Sequence, residues 1–313
     1  VNRQAATYTP KVRNAILKSL DVIKKSVPDA EIERLIANGR LNDAVFTIFD
    51  AAESAKPWYQ VQIAVQQVLR AGMESTARVA LPAAARHIGF NVLSPTVRGT
   101  ATDLSEQLVQ PFARDVRAGL QKIIALGVQN HLEPDAVVKL VKASVGVGPG
   151  QADQIANFRG MLEARDRGAL SRTLRNKGFD AKIRSAFADG RDLTSNQIDA
   201  MVSDYAENMA AFNAGTVSRT AALQTLKASQ HAAWEEAIDS GVVDESLLLK
   251  RWVGVMDSRE RDEHVAMEGE VRPFSALYSN KEMVPGDSTF NCRCVSYVWQ
   301  AASQREYQIA LAA

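Results

Sequence analysis

Rare, reactive residue types in this 313-residue chain gather near its end. Its only two cysteines stand in one tetrapeptide, Asn291-Cys292-Arg293-Cys294, and one of its four histidines, His264, lies upstream. On an extended tract, residues two apart project from the same face. Cys292 and Cys294 would then look one way and Arg293 the other. Two thiolates presented together suit a metal ion, with His264 as a third ligand and Asp257 or Asp287 as a fourth. The same residue types also permit a nucleophilic reading, with Cys292 attacking, His264 as base and Asp257 as orienter. No oxyanion-hole loop is recognisable beside them. Both readings compete with a structural one. Asp257 and Glu260 fit an N-cap and capping box, Glu260 and His264 are spaced to pair on one helix turn, and Gly269 would end that helix. Two cysteines beside a packed strand are also ordinary core residues, and Trp252 reads as core.

The elements that must position this cluster are mostly helices. Val12, Ile16, Leu20, Ile23 and Val27 recur at three- and four-residue intervals and predict an amphipathic helix over 10–27. The polar residues 1–9 before it are expected to fray. A long helical run from Trp58 towards Ile88 is expected, punctuated by Gly72 and broken near Pro82. The Ala-rich stretch 80–85 suits close helix packing. Turn chemistry at 89–95 precedes helices over 103–128 and 134–145. Segment 146–150 (Gly-Val-Gly-Pro-Gly) lacks the Lys-Ser/Thr and the preceding strand of a phosphate loop, so it reads as a helix end and a turn into the next helix, 151–167. Residues 169–190 are broken into short helices. Thr194 and Gln197 form a capping-box pattern opening a long helix. Gly215 is expected to interrupt it, with a further helix from Arg219 to about Ser240.

After residue 241 the character changes. The second half of 247–255 and the alternating 295–299 read as strands. The expected fold class is therefore mainly α, a long helical body followed by a small α+β C-terminal domain. The expected division is an N-terminal helical region over 1–88, a helical body over 89–240, the α+β domain over 241–300 and a tail over 301–313.

Bulk composition narrows the function classes. Lys plus Arg number 37 against 36 Asp plus Glu, so no global charge favours nucleic acid or an anionic membrane. Local charge is less even. Arg172, Arg175, Lys177, Lys182, Arg184 and Arg191 cluster, as a solvated face or as a contact for phosphates. No apolar run is long enough to span a bilayer. The start, Val1-Asn2-Arg3-Gln4, lacks a signal-peptide core and a Met, which leaves upstream processing open. Two cysteines spaced C-x-C make no disulfide framework, and a reducing compartment fits them.

The order Trp252, Asp257, Arg259, Arg261, His264, Gly269, Phe274, then Pro285-Gly286-Asp287, then Asn291-Cys292-Arg293-Cys294 resembles the phage Mu F-type minor head proteins, also called phage head morphogenesis proteins. A looser resemblance extends back to about residue 89, through 145–162, Phe179-Asp180, Leu193-Thr194, Gln197-Ile198-Asp199, Tyr205 and Arg219-Thr220. Two departures stand out. Ala221 follows Arg219-Thr220 where family members often carry an acidic residue, and some members have cysteines near the Asp-Arg segment where this chain has His264. The resemblance implies a non-enzymatic virion component, assembled in the host cytoplasm and located in the capsid interior or at the portal vertex. Its implied partners are the portal and capsid proteins, with packaged DNA a further partner through 172–191. It implies no cofactor, although a zinc ion at Asp257, His264, Cys292 and Cys294 stays compatible with the residues. The rival readings are a metal- or Cys-dependent enzyme built on that same cluster, and an internal scaffold lost from mature particles.

Overall fold

A computed structural model describes residues 1–82, 95–287, 289 and 291–312, with the side chains of 95–98 set aside. The described residues form eleven α-helices and one three-stranded antiparallel sheet, so the fold is mainly α with a small α+β portion near the C-terminus. The helices are α1 (Asn2–Lys25), α2 (Asp29–Ala37), α3 (Leu41–Glu53), α4 (Tyr59–Val79), α5 (Pro95–Gln129), α6 (Pro134–Ala143), α7 (Pro149–Glu163), α8 (Asp180–Ala188), α9 (Ser195–Asp239), α10 (Asp262–Val265) and α11 (Gln304–Ala312). The strands are β1 (Leu248–Val253), β2 (Val271–Pro273) and β3 (Val295–Gln300), with β1 central. No helix among the described residues is long and apolar enough to cross a membrane.

The chain divides into two compact units. One comprises Val1–Arg13, Val61–Gln107 and Thr216–Ala313; the other comprises Asn14–Gln60 and Leu108–Gly215. In the second unit, Ile16, Leu20, Ile23 and Val27 are all buried, as their spacing requires. The glycine-rich segment 146–150 is the expected helix junction. Gly146 takes φ +111, Gly148 is the N-cap of α7, and the Gln151 side chain accepts a hydrogen bond from Gly148 N at 2.8 Å. Asn213 of α9 donates to Gly146 O at 2.8 Å. A Cβ on Gly119 of α5 would stand 2.0 Å from Val147 O, so this junction lies directly on the α5 backbone.

In the first unit, α4 and α9 approach closely at Gly72, where a Cβ would stand 1.9 Å from Ser229 Oγ. Leu69, Met73, Ala101, Ala232 and Ala233 form one apolar cluster there. A second cluster joins Ala77, Leu81 and Trp234 to Leu248 of β1, Phe274 and Val298 of β3, which seats the sheet on the helices of this unit. The register pairs Leu249 with Pro273 and Trp299, and Trp252 with Ser296. Central β1 is buried at Leu248, Leu249, Lys250 and Trp252.

Several expectations need correction. Residues 2–9 do not fray but form the first turns of α1, because Ala5 is buried, Asn2 Nδ2 donates to Arg293 O and Gln4 Nε2 to Ser75 Oγ. Gly215 does not interrupt α9, which runs unbroken for 45 residues. A single Gly costs a helix interior only about 1 kcal/mol, which packing on both sides readily offsets. The capping box at Thr194 and Gln197 does form, with reciprocal bonds of 3.1 and 3.3 Å. The one at Asp257 does not, since α10 begins only at Asp262, with Arg261 as N-cap. Strand β2 and helix α11 were not foreseen. The break near Pro82 agrees with the end of α4 at Val79, while the rest of the stretch to residue 94 lies outside the described residues.

Candidate functional site

Trp252 anchors the region. It is fully buried at the end of β1 and meets the His264 and Tyr278 rings edge-on, at 5.4 and 5.2 Å between centroids. Tyr278 OH shares a 3.1 Å hydrogen bond with Ser296 Oγ of β3. Trp252, Met267, Tyr278, Cys292 and Cys294 form one buried cluster, so the two sulfurs lie against an aromatic wall.

Beyond β1 the chain turns through 254–261 and delivers His264 on α10. Gly269 at φ +83 then returns the chain, with its N–H donating to Trp252 O and Glu270 O accepting from Trp252 N. Cys292 and Cys294 arrive from the tract before β3, after Asn291 at φ +55, whose N–H donates to Thr220 Oγ1 of α9 at 3.1 Å. Non-glycine residues with positive φ are uncommon, and Asn tolerates that conformation better than most. Arg293, between the two cysteines, forms a two-pronged pair with Asp257, both contacts at 2.6 Å, and its guanidinium lies 3.9 Å from Glu260 Oε2.

Beside this pair, four polar atoms converge. His264 Nδ1 lies 3.7 Å from Cys292 Sγ, 3.5 Å from Cys294 Sγ and 3.5 Å from Glu260 Oε1, and Cys294 Sγ lies 3.3 Å from the same carboxylate oxygen. Residue exposures are 3% for Cys292, 0% for Cys294 and 2% for His264, and the Glu260 side chain is 4% exposed. The His264, Cys292 and Cys294 ligand atoms all fall within 4.8 Å of one another.

The site is strongly charged. Lys227 of α9, also buried, donates to Pro285 O and Cys292 O, both at 2.8 Å. A Cβ placed on Gly286 would meet both Cys292 Sγ, at 2.9 Å, and Lys227 Nζ, at 3.0 Å. Burial lowers the Lys227 ammonium from its ordinary value, and the neighbouring Cys292, Cys294 and Glu282 oppose that. The Cys292 thiol is pulled down, first by hydrogen bonding from Cys294 and further by the Lys227 charge, while Cys294 is pushed up by the same thiol pair. Burial pushes the Glu260 carboxyl up, but the Cys294 thiol, the Val255 N–H and the Arg293 charge outweigh it and leave it below its usual value. Asp257 is held well below the carboxylate range by the Arg293 hydrogen bonds and the Arg259 N–H.

The other motif residues have structural places. Asp287 Oδ2 accepts from Met283 N and Val284 N and so closes the turn that carries Pro285 and Gly286. Gly286 has φ +88. Arg259 is exposed and loosely paired with Asp257. Phe274 stacks on His231 at 4.3 Å. The structure therefore brings His264, Cys292 and Cys294 together, puts Asp257 on Arg293, and puts Glu260 at the cluster. A nucleophile, base and orienter would need bonds on opposite ring nitrogens of the histidine. Here both sulfurs and the carboxylate face the same atom, Nδ1.

Residues 169–297 match the model of a family described as Phage Mu protein F like protein. Over these residues the chain is similar to that family. No curated protein and no solved structure gives a significant match to the chain. The Mu F-like segment contains α8, α9, α10, β1, β2 and the first half of β3, and every residue of the converging cluster lies within it. The looser upstream resemblance over 89–168 falls outside the match.

Proposed function

We propose that this chain is a bacteriophage minor head protein that acts in head morphogenesis, resides in the virion and associates with the portal and inner capsid. The observation that carries the reading is the family match over 169–297, with the Trp252 to Cys294 motif inside it. Its role is structural rather than catalytic. Both sulfurs are buried, and the carboxylate that an enzyme reading needs, Asp257, is bound to Arg293. Long helices such as the 45-residue α9 suit a protein that binds other subunits along its length.

Packaged DNA is the further partner, through segment 172–191. Arg175 and Arg184 pair with Asp180, and Arg191 pairs with Asp189. Arg172, Lys177 and Lys182 form no ion pair among the described residues, and they are the cations we assign to phosphate contacts. Three phosphates neutralised would give a log–log salt slope of about −2.7 on duplex DNA, against about −5.4 if all six cations engaged. Binding insensitive to salt would remove DNA as a partner.

Quantitative mass spectrometry of purified particles tests the main proposal. A fixed, low ratio of this chain to the portal protein is expected. Its absence from mature particles would reject virion residence and leave an internal scaffold or a non-virion enzyme.

A further inference from the structure

The convergence at His264 has a geometric property that hydrogen bonding alone does not account for. A ring nitrogen has either one proton or one lone pair, so it satisfies one partner well. Nδ1 of His264 has three, each at 3.5 to 3.7 Å. In a tetrahedral zinc site, Zn–S of about 2.3 Å and Zn–N or Zn–O of about 2.1 Å place sulfur about 3.6 Å from nitrogen or oxygen, and nitrogen about 3.4 Å from oxygen. The four measured edges here are 3.7, 3.5, 3.3 and 3.5 Å. They match four of a tetrahedron's six edges: the His264, Cys292 and Cys294 donors all lie within 4.8 Å of one another, and Glu260 reaches two of them, so the carboxylate completes the site by closing towards Cys292 as the ion binds.

We propose that Cys292, Cys294, His264 and Glu260 bind one divalent transition-metal cation of the zinc type as a structural site, with Lys227 as its countercharge. The donor set of two sulfurs, one imidazole nitrogen and one carboxylate oxygen favours zinc over hard cations such as calcium or magnesium. Charge agrees with it. Two thiolates, one carboxylate and a dication sum to one negative charge, and the buried Lys227 ammonium cancels it. Without the dication, a buried carboxylate and two thiols crowd one imidazole. Burial of all four ligands leaves no open coordination position, which marks the site as structural. The ion would join the turn after β1, helix α10 and the tract before β3. Asp257 is excluded as a ligand by its two-pronged bond to Arg293. Metal loading involves forming the two thiolates, so the two thiol protons pass to solvent as the metal–sulfur bonds form.

The test uses the full chain purified under reducing conditions without chelator. Elemental analysis is expected to give stoichiometric zinc, released on thiol modification. Titration of the metal-free chain with Co²⁺ is expected to produce a thiolate-to-cobalt charge-transfer band and the intense visible bands of tetrahedral Co²⁺. Glu260→Gln should weaken metal affinity by about 100-fold, while Asp257→Asn should leave it within about tenfold. Cys294→Ser should abolish the charge-transfer band's full intensity. Should that variant fail to fold, the Glu260 and Asp257 pair still decides the ligand set, and circular dichroism of each variant establishes that it is folded. A folded, reduced wild-type chain that holds no zinc and gives no charge-transfer band with Co²⁺ overturns the proposal. Loss of metal in Asp257→Asn with retention in Glu260→Gln overturns the ligand assignment. Neither result depends on whether the chain is found in virions.

Discussion

Replacing Gly286 with Ala tests how tightly the Pro285-Gly286-Asp287 turn lies on the site. Two costs follow from the structure. Gly286 has φ +88, where an L residue is strained by about 1–2 kcal/mol. The new methyl would also stand 2.6 Å from Cys292 Cβ, 2.9 Å from its Sγ and 3.0 Å from Lys227 Nζ. Overpacking of this kind typically costs about 1–3 kcal/mol, so Gly286→Ala should lose about 2–5 kcal/mol in all. Gly269 is the internal control. Its φ is +83 and nothing lies within 4 Å of its added Cβ, so Gly269→Ala should lose only the strain, about 1–2 kcal/mol. Urea denaturation followed by tryptophan emission suits the comparison, because Trp234, Trp252 and Trp299 lie in the same unit as both glycines and only Trp58 lies in the other. In heat denaturation the Gly286 variant should melt about 5–15 °C lower than wild type. If the two variants are equally destabilised, the turn does not press on Cys292 and Lys227, and the described closeness of the site is wrong.

Two further perturbations read other parts of the same unit. Gly72→Ala should cost about 1–3 kcal/mol net of its gain in helix propensity, because its Cβ would stand 1.9 Å from Ser229 Oγ; in a Ser229→Gly background most of that loss should disappear, and a double-mutant cycle showing additive effects would refute the α4–α9 contact. Lys250, fully buried on β1 with its ammonium donating to Met283 O and lying over the Tyr278 ring, is pushed down to about 8 by burial. Between pH 8 and about 10.5 the unfolded chain keeps the proton that the folded chain has shed, so stability should rise with pH across that window by about 3 kcal/mol. Below pH 8 the ammonium is charged in both states and the deficit is present in full. Lys250→Met should therefore raise stability at neutral pH and abolish that rise, and a variant with the same pH slope as wild type would exclude Lys250 as its source.

The sequence was legible wherever a short-range rule decides the outcome, and silent wherever a distant partner does. The three- and four-residue spacing of Val12, Ile16, Leu20, Ile23 and Val27 located a helix face because burial of that face needs only an apolar partner of any identity. The C-x-C spacing placed Cys292 and Cys294 at one site, because extended-chain geometry alone turns residues two apart the same way. Gly215 misled, since local propensity is worth about 1 kcal/mol and packing along α9 exceeds it. Asp257 misled for a related reason. Its carboxylate does accept the Arg259 N–H, but Arg293, thirty-six residues later, adds two charge-assisted hydrogen bonds and the helix starts only at Asp262. Strand β2 is three residues long, below the length at which alternation can be read.

The two charges that define the site were visible as anomalies rather than as ligands. Glu260 stands four residues before His264, a spacing that reads as an ordinary helix pair until the structure shows α10 beginning only at Asp262. Lys227 is the clearer signal. Thr220, Leu223, Lys227 and Trp234 follow one stripe of α9, and all four are buried. A lysine on such a stripe is almost never buried unless paired. Its presence implied an anionic or carbonyl-rich partner carried by some other part of the chain, although nothing local could say which. The structure supplies that partner as the Pro285 and Cys292 carbonyls beside the two sulfurs. A charged residue on an apolar helical stripe is thus a pointer to a site elsewhere in the sequence. Here it points to the only two cysteines in the chain.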